Sequence, residues 1–511
     1  MLSIIKSYGL IGINGYFVNV EVDINNGLPS YDIVGLVGTS TKESKERVKS
    51  AIKNSGFKYP ILKITINLAP ADIKKEGPLY DLPIAIGILS ASEQVNLENA
   101  TKYLFIGELS LNGDIKKVNG VLPVLISARQ MGFKNIIIPK ENENEASFIE
   151  GLNVYPVSTL KETVAFLNEE INIEPIQYVD FSQVKSKAKF KSDFKYIKGQ
   201  ENAKRAMEIA AAGGHNVLMI GPPGSGKTML AKAFPTILPD LTFNEALEVT
   251  KIHSIAGVLD LKDGIITNRP FRAPHHTSTT LALTGGGRLA KPGEICLAHT
   301  GVLFLDEMPE YSRNSIETLR QPLEDGSITI SRVEQTIEYP AGFTLIASMN
   351  PCPCGNYGSA EKECKCTPQQ IHKYLNKLSG PIMDRIDMHI EVDNVKYSDL
   401  RDESIAESSE SIKQRVDKAR KIQLERFRDC DTYCNAKMTD QQLKKYCKIS
   451  DESNNVLQVA FDKLRLSARA YNRILKVART IADLEGSENI ETEHLIEAIS
   501  YRTIEKKYWE Y

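Results

Sequence analysis

The chain has no run of 18 apolar residues, and its start, Met1-Leu-Ser-Ile-Ile-Lys6, lacks the long apolar stretch of a secretory signal. With these shortages neither a transmembrane helix nor a cleaved leader is expected, nor a membrane partner, and the expected location is cytoplasmic. Excess charge of one sign is also missing: 63 Lys and Arg stand against 65 Asp and Glu, a net charge of −2. No global electrostatic footprint of nucleic-acid binding exists, and any such site must be a local patch. Cysteine is scarce, at eight residues in 511. In a reducing compartment these are thiols or metal ligands, not a disulfide framework. With no internal repeat and no low-complexity tract, the length and a composition typical of soluble globular proteins lead to an expectation of two to four ordinary domains.

What is present is more informative. Gly221-Pro222-Pro223-Gly224-Ser225-Gly226-Lys227-Thr228 follows directly on the apolar run Asn216-Val-Leu-Met-Ile220. Strand, glycine-rich turn and helix make a phosphate-binding loop. The glycines let consecutive N–H groups face phosphate oxygens, and the helix offers its positive end to the anion. Lys227 is placed to reach the β- and γ-phosphates, and the Thr228 hydroxyl to ligate Mg²⁺. Roughly 80 residues on, Gly301-Val-Leu-Phe-Leu305 reads as a buried parallel strand ending in Asp306 and Glu307. Ligands of open α/β sheets gather beyond the carboxyl ends of strands. Asp306 is therefore expected to hold Mg²⁺ and Glu307 to polarise the attacking water. The cofactors read from these motifs are ATP and Mg²⁺.

Residues 1–170 mix short strands and helices, with strands predicted at 61–67 and 135–139 and amphipathic helices at 42–54 and 121–131. Residues 171–195 form a linker containing the basic run Lys185–Lys191, which reads as solvated. Residues 196–396 alternate strands (216–220, 301–305, 343–348) with helices, the pattern of a parallel sheet. Residues 397–511 read as all-helical, with helices at 407–428, 451–463, 467–485 and 493–505.

Four further groups of residues carry chemistry. Thr344–Met349 is a third buried strand, and Asn350 after it is placed to bond the γ-phosphate or water, or merely to form a turn. Arg385 sits among Asp384 and Asp387, which suits either a local salt bridge or an arginine finger given to a neighbouring subunit. In 466–479, Leu466, Ala470, Ile474 and Val477 share one helix face. Arg469, Arg473 and Lys476 share another, either solvated or contacting nucleotide or nucleic acid. Finally, Cys352, Cys354, Cys364 and Cys366 give two C-x-C pairs nine residues apart. Four thiolates suit a tetrahedral structural Zn²⁺, although the spacing is tighter than usual; a loop of reduced thiols is the alternative. His275 and His276 are open between metal ligands, nucleic-acid contacts and turn residues.

Together these parts resemble an AAA+ ATPase of the branch that includes magnesium chelatase and the MCM helicases. The resemblance implies an adenine-side motif at Gly199 and Gln200, sensor 1 at Asn350, the arginine finger at Arg385 and sensor 2 at Arg469. The stretch carrying Phe271–Thr279 and Thr284–Gly287 is similar to that branch's insertion in its second helix. Residues 325–344 are similar to its hairpin before sensor 1, an element that lines the pore in ring helicases. On Phe271–Thr279, Leu303–Pro309, Asn350–Cys354 and Ser467–Leu484, the whole chain resembles the ComM/YifB family of magnesium-chelatase-like proteins.

The front domain resembles the protease domain of Lon and the matching part of RadA. Leu79 and Leu122 fall where Lon has its nucleophile and catalytic lysine. Leucine can neither attack a carbonyl nor carry a proton, so this domain is expected to be a non-catalytic platform. The fold class implied is α/β: an N-terminal Lon/S5-like α+β domain, a central AAA+ α/β domain and a C-terminal all-helical lid.

The resemblance implies a homo-oligomeric ring, a hexamer, that migrates DNA branches during recombination or natural transformation. Single-stranded or branched DNA and recombination proteins would be its partners. Arg272, His276, Arg288 and Arg332 are the expected DNA contacts, with Arg332 alternatively pairing with Glu334 or Glu338 across the hairpin. Two other readings stay open: an ATPase that remodels a protein or inserts a metal, as magnesium chelatase does, and a nucleotide switch without motor activity.

Overall fold

Aliphatic runs set the strands, and their periodicity sets which faces are covered. The computed structural model describes residues 1–184, 192–287, 290–331, 336–358, 362–394, 406–430, 432–464 and 466–509. Its first sheet uses β1 (Leu2–Ile11), β2 (Asn14–Asn25), β3 (Ser30–Val34), β4 (Lys63–Ala69) and β5 (Leu104–Phe105). After a small ribbon of β6 (Glu108–Leu109) and β7 (Ile115–Lys116), it is completed by β8 (Asn135–Pro139) and β9 (Asn153–Val157). The order is β3-β4-β2-β1-β5-β8-β9. The β1, β2 and β4 pairings are antiparallel, and β5, β8 and β9 run parallel, so this part is α+β. In β2, Val18, Val20, Val22 and Ile24 alternate inward, as a half-buried strand requires. The helix Asp81–Ala91 is buried at every residue and packs on β1 and β2 as the centre of this core.

The second sheet is wholly parallel. Its strands are β10 (Val217–Ile220), β11 (Phe271–Arg272), β14 (Val302–Leu305), β17 (Thr344–Met349) and β18 (Met388–Glu391), in the order β11-β14-β17-β10-β18. Between these lie two two-stranded ribbons. One is β12 (Gly285–Gly286) with β13 (Lys291–Pro292), and the other is β15 (Ser327–Ser331) with β16 (Thr336–Pro340), the expected hairpin before the third strand.

The C-terminal part is helical: Ser409–Arg426, Asp440–Tyr446, Asp451–Leu464, Ala468–Glu485 and Thr492–Trp509. Ala470, Ile474 and Val477 are buried, as their shared face predicts. They pack toward the helices Glu201–Gly213 and Ser409–Arg426. Each large aliphatic so buried contributes about 1.5–3 kcal/mol. The last helix lies along β18.

The front part is fastened to the helix Phe243–Ala256 by a buried polar joint. The Leu122 N–H donates to Glu145 Oε1 at 2.9 Å, and the Gly120 N–H donates to Ser254 Oγ at 2.9 Å. Ser254 Oγ in turn donates to Glu145, and Asn142 Nδ2 donates to the same carboxylate at 3.2 Å. Leu79 and Leu122 pack into one apolar cluster with Val121, Leu125 and Ile136.

Candidate nucleotide site and four-cysteine loop

Three strands end side by side at the site. β17 lies between β14 and β10, so the residue after it, Asn350, stands between the carboxylates after β14 and the loop after β10. The loop needs glycine for two different reasons. A Cβ on Gly221 would sit 2.1 Å from the Val392 carbonyl oxygen, whereas Gly224 and Gly226 hold φ of 83° and 94° with open space beside them. Open space on the Gly224–Gly226 side is what a phosphate needs.

Lys227 is buried and folded back over this loop. Its Nζ donates to the carbonyls of Gly221 (2.7 Å) and Pro222 (2.8 Å) and to Asn350 Oδ1 (3.3 Å). Burial lowers its pKa to about 8, against the opposing pull of Asp306 and Glu307. Thr228 Oγ1 donates to Asp306 Oδ2 at 3.1 Å. That hydroxyl and carboxylate fit Mg²⁺, a hard cation taking oxygen ligands. Ser348, on β17, donates its hydroxyl to the other Asp306 oxygen and accepts the Glu307 N–H at 3.0 Å. Glu307 has φ of 53°, left-handed for a non-glycine residue, and its side chain is exposed. Strain of this kind, held by the Ser348 bond, aims the carboxylate outward. Gln200, at φ of 61° next to Gly199, donates to the Ser225 carbonyl (3.3 Å) and the Asp393 carbonyl (2.5 Å). It thereby ties the start of the module to the loop and to the end of β18.

Arg385 and Arg469 lie elsewhere. The Asn216 N–H, at the head of β10, donates to Asp387 at 2.8 Å, and its side chain donates to the Arg385 carbonyl at 3.2 Å. This is the end of β10 opposite the phosphate loop, four residues and about 13 Å away at strand rise. Ser467, just before Arg469, donates to Asp384 at 3.1 Å. Arg469 is therefore on the Arg385 side and is exposed. Arg385 itself does not project: it is 6 % exposed, donates to the Pro381 carbonyl at 2.8 Å and pairs with Glu324.

Other expectations are corrected. Arg473 and Lys476 do not form a free basic stripe, because Arg473 pairs with the buried Asp387 and Lys476 donates to the Ala436 carbonyl at 3.1 Å. The Arg473 guanidinium holds Asp387 well below the usual carboxylate range despite its burial. Arg272 is not a free cation either; it donates twice to Glu294, at 2.6 and 2.7 Å. His276 is half-buried, with its ring 4.1 Å from that of His275 and edge-on to Tyr311. Arg288, Arg332, Glu334 and the run Lys185–Lys191 lie outside the described residues. Sequence reading missed Ser348, Asn216 and Glu324. A serine two residues before Asn350 on a buried strand is the one detectable signal among them.

The four cysteines converge. Their Sγ atoms all lie within 4.8 Å of one another. Three of the separations are 3.4 Å (Cys352–Cys354), 3.6 Å (Cys354–Cys364) and 3.7 Å (Cys352–Cys364). Four thiolates around one tetrahedral metal at Zn–S distances stand about 3.8 Å apart, so the cluster could hold such an ion. Backbone N–H groups of Asn356 and Lys365 point at Cys354 and lower its pKa to about 6. The loop starts directly after Asn350 and presses on the phosphate loop: a Cβ on Gly355 would lie 2.5 Å from Pro223 Cδ. On its other side the Tyr357 ring meets Tyr508 of the last helix at 6.2 Å.

Three protein-family profiles match the chain. "Magnesium chelatase, subunit ChlI" covers residues 193–400, "Subunit ChlI of Mg-chelatase" covers 20–142, and "Magnesium chelatase, subunit ChlI C-terminal" covers 406–502. The competence protein ComM of Haemophilus influenzae is 45 % identical over 505 residues, 98 % of each chain. The protein YifB of Escherichia coli is 44 % identical over 506 residues, 99 % of this chain and 98 % of that one. Lon protease 2 of Bacillus subtilis is 34 % identical over 135 residues, 26 % of this chain and 23 % of that one.

Proposed function

Because the chain belongs to the ComM/YifB family of magnesium-chelatase-like AAA+ ATPases, we propose that it is a ring motor that hydrolyses ATP to move branched DNA. The observation that carries the ring is the separation of the site into two halves. Loop, carboxylates and Asn350 lie at one end of the parallel sheet, and Arg385 and Arg469 lie at the other. The two arginines serve a phosphate only on a neighbouring subunit.

Each group then has one task. Lys227 leaves its carbonyl partners for the β- and γ-phosphates. Thr228 and Asp306 hold Mg²⁺, which neutralises charge on the phosphate oxygens. Glu307 orients and polarises the attacking water, with Asn350 beside it. Arg385, given in trans, stabilises charge developing on the transferred phosphoryl group. The four thiolates hold one Zn²⁺ that fixes the loop between Asn350 and Pro223.

DNA is the proposed substrate because the hairpin β15–β16 and the insertion are the parts of this architecture that line a ring's channel, where a modest patch is repeated by symmetry. A strand-displacement assay on three-way and Holliday junctions, with wild type and Lys227→Ala, tests this. ATP-dependent resolution by the wild type alone is expected. Junctions left intact by the wild type with ATP-Mg would overturn the DNA reading and favour a protein substrate.

A further inference from the structure

Arg385 is held in a posture in which it cannot serve a neighbour, and the residue that holds it belongs to the root of the hairpin. Glu324 lies on the short helix Arg320–Asp325, which runs through Gly326 directly into β15. Its carboxylate pairs with Arg385. The two sides of this pair differ sharply in exposure, 8 % for the arginine side chain and 52 % for the glutamate. The Arg385 Nε is buried and finds no hydrogen-bond partner among the described residues. A guanidinium packed with one donor unanswered, against a carboxylate open to water, is not a settled core pair. Glu324 is also the only carboxylate paired with Arg385 among the described residues.

We propose that Glu324 is a latch that restrains the trans-acting arginine until the β15–β16 hairpin moves, so that a ligand in the ring's channel licenses hydrolysis at the neighbouring site. This rests on the reading of Arg385 as a group given to the next subunit. The connection is short and stiff. Only Asp325 and Gly326 separate Glu324 from β15, and the Ala341 N–H, just after β16, donates to the Gly326 carbonyl at 2.7 Å. Displacing the hairpin therefore displaces the turn that ends the Glu324 helix. Because its carboxylate is half exposed, Glu324 can exchange Arg385 for water once the helix end moves, while the released guanidinium finds its new partner in the neighbour's phosphate. Glu324 touches no reacting atom in this scheme; it is a positioning residue acting through Arg385.

The test is steady-state ATP turnover of the full chain with and without a forked DNA, for wild type, E324Q and E324D. E324Q removes the charge at constant shape. Its kcat without DNA is expected to rise to the DNA-stimulated wild-type level, about fivefold or more for a coupling of ordinary size. Added DNA should then have little further effect. KM for ATP should not move, because Arg385 acts in the transition state rather than in ground-state binding. E324D, which keeps the charge, should restore dependence on DNA. Wild-type kcat in E324Q with and without DNA would overturn the latch. A basal kcat below wild type would overturn it equally, since Glu324 would then be supporting Arg385 instead of restraining it. Should E324Q fail to fold, E324S at the same half-exposed position carries the same test. If wild type ignores DNA altogether, the DNA reading fails by itself, and the latch is judged on whether E324Q still raises basal kcat.

Discussion

The Lys227 amine is where protonation and substrate binding meet. Its folded-state pKa of about 8 lies below the ordinary lysine value of 10.5. In the nucleotide-free protein the folded state therefore loses this proton before the unfolded state does. Between about pH 8 and 10.5 the unfolded chain binds more protons, so this group makes stability rise with pH across that window. Phosphate reverses the effect by stabilising the ammonium. ATP binding should therefore take up about half a proton at pH 8 and approach a whole one at pH 9. Calorimetry in buffers of different ionisation heat measures it; uptake that stays flat between pH 7.5 and 9 would rule it out. For Glu307→Gln we expect retained ATP-Mg binding and turnover lowered by about 10²-fold or more, since the loop binds and the carboxylate activates water. Single-turnover kinetics with a binding assay separates the two. The placement of Lys227, Thr228, Asp306, Glu307 and Asn350 at one end of the sheet was legible because apolar runs announce strand ends. The partners of Arg473, Lys476 and Arg272 were not legible, because spacing reveals which face a cation occupies but not whether Asp387, a backbone carbonyl or Glu294 waits there.

Among elements, the four-cysteine loop makes the sharpest prediction. Purified protein should carry close to one Zn²⁺ per chain. Cys352→Ser and Cys364→Ser should both lose most of it, because structural zinc contributes its binding energy to local folding. Through the Gly355–Pro223 contact the loss should also weaken ATP affinity. Metal analysis beside nucleotide titration checks both, and full ATP affinity in zinc-free protein would refute the link. The polar joint makes a second. Ser254→Ala leaves the Gly120 N–H buried without a partner and takes from Glu145 Oε1 one of its two donors, the Leu122 N–H remaining, which should cost about 1–3 kcal/mol in denaturant unfolding. β10, β14 and β17 were readable as unbroken apolar runs. β18 was not, because His389 interrupts it and the buried Asp387 precedes it, polar residues that tertiary pairing alone permits. The strand predicted at 61–67 begins at Lys63, and β1 and β2 carried too many polar outward residues to stand out.

At the scale of the assembly, the divided site predicts complementation. Lys227→Ala and Arg385→Ala should each be inactive, yet mixing them should restore part of the turnover, because some interfaces regain an intact loop facing an intact arginine. Light scattering should show a ring under ATP-Mg. A mixture no more active than its components, or monomer alone at micromolar protein, would remove the trans assignment.

The Glu145–Ser254 joint also limits what the front part can hold. The helix that carries Leu122 has its amino end occupied by a glutamate and by a serine of the helix Phe243–Ala256, while Leu122 itself is 1 % exposed beside Leu79. A lysine placed at 122 would bury its amine in an aliphatic cluster, with the adjacent hydrogen-bonding groups already committed. The docked helix Phe243–Ala256 thereby holds that end of the front part to an apolar interior, so neither module can be recast there without disturbing the other.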